Sequence, residues 1–309
     1  MTPENRKLAD KIKILKDEKN AVILSHNYQA DEVQEIADFT GDSLELSIKA
    51  RGVDRDIIVF AGVRFMAESA KILNPGKKVL LTEERAGCPM ADMITPEKLL
   101  ELKNKYPGRP VVCYVNSDAA VKALSDICCT SSNAVKIVNS LKEKEVIFIP
   151  DMYLASYVEK FTDKKIIKYK GFCPVHQKVS ASDIMKLKNR QAGAVTLAHP
   201  ECSPEVTVLA DAVLSTSGMI KYAASSAATD FIIATEKGIL YRLKKDSPGK
   251  NFHLASRELV CPNMKLTGLK SILDSLLYNK YVVSVPPDVI ERAKTALDRM
   301  LEVTAGGRK

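Results

Sequence analysis

The most informative absences are long apolar runs and familiar cofactor motifs. No stretch of the 309-residue sequence approaches the ~18 apolar residues that a membrane-spanning helix requires, so we expect no membrane partner. No apolar segment follows the charged amino terminus, so we expect no secretory signal and a cytoplasmic protein. The patterns GxGxxG, GxxxxGKS/T, HExxH and CxxxCxxC are also missing, which argues against dinucleotide binding, P-loop chemistry, zincin proteolysis and S-adenosylmethionine radical chemistry.

The charge balance is basic without a nucleic-acid signature. Lysine and arginine number 46 against 38 acidic residues, which gives a net charge of +8. The lysines are scattered, and no helix-turn-helix, zinc-finger or aromatic–basic sheet motif accompanies them, so we expect no nucleic-acid partner. A basic surface of this kind fits solubility and attraction for small anions.

Cysteine usage points to a repeated metal-binding or redox element. Seven cysteines are present, and an odd number in a cytoplasmic chain favours metal or redox chemistry over disulfides. Three of them share one dipeptide at nearly even spacing, 173 − 88 = 85 and 261 − 173 = 88: Cys88-Pro89, Cys173-Pro174 and Cys261-Pro262. Such a period predicts three copies of one unit of about 87 residues, in a chain that is long for a single core.

Other landmarks keep the same period. Three apolar runs end in a polar residue that we call the anchor: His26, Tyr114 and His199. Twelve residues beyond each anchor is an aspartate: Asp38, Asp126 and Asp211. Seventeen residues beyond each anchor is a hydroxyl: Ser43, Ser131 and Thr216. We therefore expect each unit to give one thiol, one anchor and one hydroxyl to a shared centre.

The apolar periodicity predicts an α/β fold. Runs of three to five apolar residues, such as 57–60 and 146–149, alternate with helical segments, which is typical of parallel sheets with helices on their faces. We predict three αβα units related by a pseudo-threefold axis: residues 1–86 plus 265–309, residues 87–171 and residues 172–264. A late helix, a strand over 281–285 and a final helix would complete the first unit.

The site is expected where the three units meet. Ligands of parallel α/β sheets lie beyond the carboxyl ends of the strands, and the anchors and Cys-Pro dipeptides all follow predicted strands. The three hydroxyls stand at predicted helix starts, where each could simply cap its helix. Three helix N-termini aimed at one point would instead bind phosphate or carboxylate.

Three converging thiolates suit a soft metal. The residues leave two forms open: a zinc ion with one free position, or an iron–sulfur cluster with one iron that lacks a protein thiolate. Either open position would act as a Lewis acid on a hydroxyl or carbonyl oxygen. We expect Cys113, Cys128 and Cys129 in the core. Cys202, which follows Glu201 at a strand end, is the main rival ligand.

Polar side chains near the anchors are candidates for catalysis and binding. Glu201 lies two residues past His199 and is the candidate general acid/base. Tyr28 and Asn116 lie two residues past their own anchors, and at strand spacing each pair shares one face.

Seven short motifs are specific in combination: His26-Asn27-Tyr28-Gln29, Gly41-Asp42-Ser43-Leu44, Phe65-Met66-Ala67-Glu68, Tyr114-Val115-Asn116, Cys173-Pro174-Val175-His176-Gln177, His199-Pro200-Glu201-Cys202 and Cys261-Pro262-Asn263-Met264. Together they resemble the quinolinate synthase family, the A proteins of de novo NAD biosynthesis, over nearly the whole chain. Two positions depart from the family pattern. Ser132 stands where alanine is expected, and Arg64 stands where an acid is often seen.

The resemblance implies a fold, a cofactor and a reaction. It implies three similar αβα domains around a central site, in agreement with the repeat. It also implies one oxygen-sensitive [4Fe-4S] cluster on Cys88, Cys173 and Cys261, whose open iron would bind and expel a hydroxyl. The implied reaction condenses iminoaspartate with dihydroxyacetone phosphate to quinolinate, releasing phosphate and two waters, with functional coupling to an L-aspartate oxidase.

The resemblance also implies residue roles. Glu201 would move protons, Tyr28 and Tyr114 would assist that transfer or close the site, and His176 would be a structural neighbour of the second cysteine. The implied substrate contacts are His26, Ser43, Tyr114, Asn116, Ser131, His199, Glu201 and Thr216. Three other functions remain open: another iron–sulfur hydro-lyase, an iron–sulfur redox sensor with four protein ligands, or a zinc hydrolase.

Overall fold

Residues 1–306, which this computed structural model describes, contain twelve strands in three parallel four-stranded sheets. The first sheet consists of β1 (Ala21–His26), β2 (Phe39–Gly41), β3 (Ile57–Ala61) and β4 (Lys78–Leu81). The second consists of β5 (Val111–Tyr114), β6 (Ile127–Cys129), β7 (Glu145–Ile149) and β8 (Lys165–Lys168). The third consists of β9 (Val195–Ala198), β10 (Ala212–Val213), β11 (Asp230–Ala234) and β12 (Asn251–Leu254). Each sheet has the spatial order second-first-third-fourth, so the predicted threefold repeat of an α/β unit is confirmed.

Helices connect and cover the strands. The first five are α1 (Pro3–Glu18), α2 (Asp31–Ile36), α3 (Ser43–Arg51), α4 (Arg64–Leu73) and α5 (Pro96–Lys105). The next five are α6 (Ala119–Ala123), α7 (Ala134–Ser140), α8 (Met152–Glu159), α9 (Ala181–Arg190) and α10 (Pro204–Thr207). The last are α11 (Thr216–Ser225), α12 (Ile239–Asp246), α13 (Leu269–Tyr278) and α14 (Pro287–Thr304). None of these described helices has both the length and the apolar character needed to span a bilayer.

The strands are apolar on both faces because helices cover both sides of each sheet. In β1, Val22 and Leu24 belong to a large core cluster that continues into the second sheet. Ala21 and Ile23 point the other way, into a smaller cluster that includes Ile12 of α1. The sheets therefore leave the strand ends, and not the strand faces, free to form a site.

The repeated aspartates hold the first strand of each sheet. Asp38, Asp126 and Asp211 accept hydrogen bonds, at 2.8, 2.7 and 2.7 Å, from the backbone amides of Ile23, Val111 and Thr196, respectively. The amide of each aspartate donates in return to the carbonyl of the same strand residue. The three aspartates thus fix strand position in three equivalent places.

The carboxyl-terminal segment spreads over two units. Helix α13 packs on α1 and β3 of the first unit, whereas α14 packs mainly on α6 and β6 of the second and also touches α4. The expected strand over 281–285 is wrong, because only a short antiparallel contact forms, with a bridge between Leu80 and Val282. Pro286 and Pro287 follow at once and begin α14, and proline lacks the amide that would extend the pairing. The unit boundaries stay a prediction.

Candidate active site

A cavity, partly open to solvent, lies where strand ends from the three sheets meet. It is lined by all twelve residues that the sequence singles out for binding, catalysis or metal ligation: His26, Tyr28, Ser43, Cys88, Tyr114, Asn116, Ser131, Cys173, His199, Glu201, Thr216 and Cys261. Its apolar lining includes Val63, Phe65, Met66, Met90, Val175 and Met264. The structure therefore brings these twelve side chains within reach of one small ligand.

Each Cys-Pro dipeptide lies in the loop after the fourth strand of its sheet. Cys88 follows β4, Cys173 follows β8 and Cys261 follows β12, and a single 3-10 turn begins two or three residues later in each loop. Proline suits this place because its fixed φ favours the start of a helical turn. These three cysteines are partly exposed, whereas Cys113, Cys128, Cys129 and Cys202 are buried. Cys202, the rival ligand, turns away and donates its thiol to the Ala234 carbonyl at 3.3 Å.

Backbone amides near the three sulfurs favour the thiolate form. In each loop the two amides that lower the thiol pKa belong to the residues two and three positions further on: Met90 and Ala91, Val175 and His176, Asn263 and Met264. Burial nevertheless raises the pKa of all three thiols, to about 12 at Cys88. Such thiols ionise when a metal binds them, and the amides then stabilise the thiolates.

The donor atoms of the cavity wall leave two kinds of metal site open. Within residues 1–306, one trio of cysteine, histidine and carboxylate atoms lies within 4.8 Å of one another: Cys173, His176 and Glu201. A single ion could bind such a trio. The three Cys-Pro thiols line the same cavity, one from each unit, and three thiols suit an iron–sulfur cluster with one iron that lacks a protein thiolate.

Glu201 is the centre of a buried polar cluster. Its Oε1 accepts from the Tyr114 hydroxyl at 2.6 Å and from Asn116 Nδ2 at 3.4 Å. Its Oε2 lies 2.8 Å from His176 Nδ1 and 3.7 Å from His199 Nδ1. The rings of His176 and His199 stack with their centroids 4.7 Å apart. The second and third units thus share one carboxylate.

The two anchor histidines are held in one tautomer. Nδ1 of His26 accepts from the amide of Tyr28 at 3.1 Å, and Nδ1 of His199 accepts from the amide of Glu201 at 3.3 Å. Burial lowers the pKa of both histidines to about 3, so both are neutral at physiological pH. A neutral imidazole that accepts at Nδ1 carries its proton on Nε2, so each anchor offers one uncharged N–H donor.

Charge in the cluster rests on Glu201. Burial raises its pKa, but His199, His176 and the hydrogen bonds from His176 and Tyr114 outweigh burial and lower the pKa to about 2. Burial and the charge of Glu201 raise the pKa of Tyr28 and Tyr114 well above the ordinary value. The polar cluster therefore places the Glu201 carboxylate beside two protonated phenols.

Tyr28 is held by contacts with the third unit. Its hydroxyl lies 2.5 Å from Thr235 Oγ1 and 3.5 Å from His176 Nε2. Thr235 Oγ1 is also 2.8 Å from His176 Nε2. The ring of His26 meets the Tyr28 ring edge-on at 4.6 Å between centroids. Tyr28 is therefore linked through His176 to the polar cluster around Glu201.

The predicted hydroxyls lie next to helix caps without being the caps. Asp42 caps α3 and Ser215 caps α11. Ser43 and Thr216 are the following residues, the first of each helix, and both line the cavity. Ser131 precedes α7 by three residues and lines the same cavity. Asp42 and Ser215 thus serve the helix amides of α3 and α11, so the hydroxyls of Ser43 and Thr216 are not needed as caps.

Asp42 also joins the three units. Its Oδ1 accepts the amides of Leu44 and Glu45 at the start of α3, at 3.1 and 3.0 Å. Its Oδ2 accepts from the hydroxyls of Ser132 in the second unit, at 2.8 Å, and Ser215 in the third, at 3.0 Å. The serine that replaces the expected alanine at position 132 therefore adds a hydrogen bond between units.

Three polar residues of the cavity wall carry no predicted role in binding or catalysis: Asp42, His176 and Glu236. His176 is expected only beside Cys173, yet its contact with Glu201 makes it part of the polar cluster. Glu236 lies two residues past β11, and Asp151 lies two residues past β7. The sequence repeat could therefore have identified Glu236 as a site residue, because an acid stands at the equivalent position in the second unit and in the third.

Together the fold and the cavity define a class: an α/β protein of three similar units whose strand ends enclose one small-molecule site with three thiols on its wall. A model of the family described as quinolinate synthetase A protein matches residues 10–302. The chain belongs to this family, and the resemblance of its motifs is confirmed.

Similar proteins align over almost their whole length. The quinolinate synthase of Geotalea uraniireducens is 57% identical over 292 residues, which cover 94% of this chain and 96% of that protein. The quinolinate synthase of Geobacter metallireducens is 56% identical over 296 residues, with 96% and 97% covered. Quinolinate synthase 2 of Methanosarcina acetivorans is 55% identical over 301 residues, with 97% of each chain covered.

Proposed function

We propose that this chain condenses iminoaspartate with dihydroxyacetone phosphate to quinolinate, releasing phosphate and two waters. The observation that carries the proposal is the convergence of twelve side chains from three units on one cavity, in a member of the quinolinate synthetase A protein family. The similar proteins named quinolinate synthase support the same activity for this chain.

The donors in the cavity suit anionic substrates. His26 and His199 each offer an uncharged N–H, and Ser43, Ser131 and Thr216 offer hydroxyls. Thr216 Oγ1 accepts from Asn27 Nδ2 at 3.0 Å, so its own hydrogen is free to donate. These groups would bind carboxylates and phosphate. Asn116 Oδ1 is buried without a hydrogen-bond partner among the described residues, so it would accept from a donor on the substrate.

Cys88, Cys173 and Cys261 would hold a [4Fe-4S] cluster, since they are the partly exposed thiols of the cavity wall and come one from each unit. When bound, such a cluster supplies a Lewis-acidic iron that assists loss of a hydroxyl. The six backbone amides near the sulfurs would stabilise the thiolate form of the three cysteines.

Glu201 would serve as the acid/base group. It is a buried carboxylate on the cavity wall, 2.6 Å from the Tyr114 hydroxyl and 2.8 Å from His176 Nδ1. A carboxylate in this state takes a proton from the substrate and returns it to a leaving hydroxyl in a later step. Tyr28 and Tyr114, both protonated, would donate hydrogen bonds and assist these transfers.

We also propose that an L-aspartate oxidase supplies the iminoaspartate.

Anaerobic purification, followed by a visible spectrum, iron, sulfide and zinc analysis and an assay with both substrates, tests the proposal. We expect four irons and four sulfides per chain and quinolinate as product. A cluster with a fourth protein ligand and no turnover would favour a redox sensor. Dehydration of a substrate without condensation would favour another iron–sulfur hydro-lyase. Zinc without visible absorption would favour a hydrolase centred on Cys173, His176 and Glu201.

A further inference from the structure

Three equivalent positions of the repeat carry three different side chains. Val63, Asp151 and Glu236 each lie two residues beyond the third strand of their sheet, after β3, β7 and β11. Val63 is apolar and offers no acceptor. Asp151 uses its Oδ1 locally, to cap α8 through the amides of Tyr153 and Leu154 at 2.8 and 2.7 Å. Glu236, with the longer side chain, is free to reach another loop.

Glu236 binds the loop of the third cysteine. Its side chain is 0% exposed, and its Oε1 accepts the backbone amide of Cys261 at 3.0 Å. Its Oε2 accepts the amide of Gly238 at 2.6 Å, in the turn that leads into α12. The Lys265 ammonium lies 2.9 Å from Oε1, so the buried carboxylate has a cationic partner. One side chain thus connects the end of β11 to the Cys-Pro loop that follows β12.

Lys265 extends this contact to the first unit. Its ammonium also donates to the backbone carbonyl of Tyr28. The turn at Gly238 packs directly on the same segment, since a Cβ there would lie 2.6 Å from the carbonyl oxygen of Tyr28. The backbone segments that carry Cys261 and Tyr28 are therefore held to each other through Glu236, Gly238 and Lys265.

We propose that Glu236 and Lys265 are positioning residues that fix the Cys261 loop and the Tyr28 segment relative to each other. The inference rests on the proposed role of Cys261 as a cluster ligand. Val63 cannot make an equivalent contact at Cys88, so the Cys88 loop serves as the internal comparison. A buried ion pair that loses one partner leaves the other charge unpaired, so each single substitution should loosen the loop.

Cysteine-specific labelling of the loaded, full-length protein tests this proposal. In Glu236→Gln and in Lys265→Met, we expect iodoacetamide to modify Cys261 about tenfold faster than in the unsubstituted protein, as measured by peptide mass spectrometry, since a hydrogen bond to a charged group is worth at least that factor. The labelling rate of Cys88 should stay unchanged. Removal of iron by a chelator should accelerate by a similar factor, and Lys265→Arg should restore both rates.

Lys270→Met is the matched control, because Lys270 forms an exposed pair with Asp274 at 2.7 Å only five residues from Lys265. It should change neither rate. Equal acceleration at Cys88 and Cys261, or no acceleration at either, would overturn the proposal. If Glu236→Gln does not fold, Lys265→Met and its rescue by Lys265→Arg decide the question. If the unsubstituted protein holds no cluster on the three cysteines, the proposed function is overturned instead. The iodoacetamide labelling rates of Cys88 and Cys261 would still compare the two loops.

Discussion

Two sets of repeated residues, only five positions apart in each unit, lie in different parts of the structure. The aspartates twelve residues past the anchors bind strand amides inside the units. The hydroxyls seventeen residues past the anchors line the central cavity. Equal spacing therefore identifies repetition and does not by itself identify a site. Location relative to the carboxyl ends of the strands separates the two sets.

The largest expected difference between residues that line the cavity and residues buried inside the units concerns the cysteines. Alanine at Cys88, Cys173 or Cys261 should abolish the visible absorbance of the cluster, because in the proposed site each unit would supply one ligand. The buried cysteines, changed to alanine one at a time, are the matched controls and should keep the absorbance: Cys113, Cys128 and Cys129. Spectra and iron content of the six variants check this, and retained absorbance in any of the first three contradicts the threefold ligand set.

Glu201 provides the next largest effect. Glu201→Gln keeps the shape of the side chain and removes its charge, so turnover should fall by roughly 10²–10⁴ while the cluster is retained. Steady-state kinetics and the visible spectrum measure the two effects separately. Near-normal turnover would move the proton chemistry to Tyr28 or Tyr114, the protonated groups closest to the cluster of polar residues.

The hydroxyl set should show a smaller effect on substrate binding. Alanine at Ser43, Ser131 or Thr216 should weaken binding by about 10- to 150-fold in at least two of the three cases, the value of a lost hydrogen bond to a charged group. The spectrum should stay unchanged. Michaelis constants and melting temperatures separate the alternatives, because a simple structural role would lower the melting temperature and leave the kinetics unaltered.

The aspartate set should show the reverse pattern with the smallest effect. Asp126→Ala removes the acceptor of the Val111 amide and should lower the free energy of unfolding by about 1–3 kcal/mol. Michaelis constants should not change, because Asp126 lies outside the cavity lining. Urea unfolding measured beside the kinetics checks this. A kinetic defect without loss of stability would remove the distinction between the two sets.

Much of the architecture was predictable because the repeat is recorded in local patterns. The strands are short apolar runs, and their polar ends place His26, Tyr114 and His199 at one edge without any knowledge of packing. The parallel arrangement follows from the alternation of strands with helices. These features depend on residues close in sequence, so the sequence alone carries them.

Contacts between units were not predictable in the same way. Asp42 meets Ser132 across 90 positions of the chain, and Tyr28 meets Thr235 across 207. No local pattern specifies such pairs, since they depend on how the units dock. The strand predicted over 281–285 failed for a local reason, because Pro286 and Pro287 follow the short contact with Leu80 and cannot extend the pairing. The residues missed in the site are accordingly those that make contacts between loops.

The separation of the Cys-Pro loops has a consequence in the physics of polymer chains. A group held jointly by the three cysteines closes two consecutive loops, one of 85 residues and one of 88. A cross-link that closes a loop of this size removes roughly 4–5 kcal/mol of chain entropy from the unfolded ensemble. The unfolded chain would therefore gain conformational freedom when the group is lost, so loss of the group would favour unfolding even where every native contact is kept.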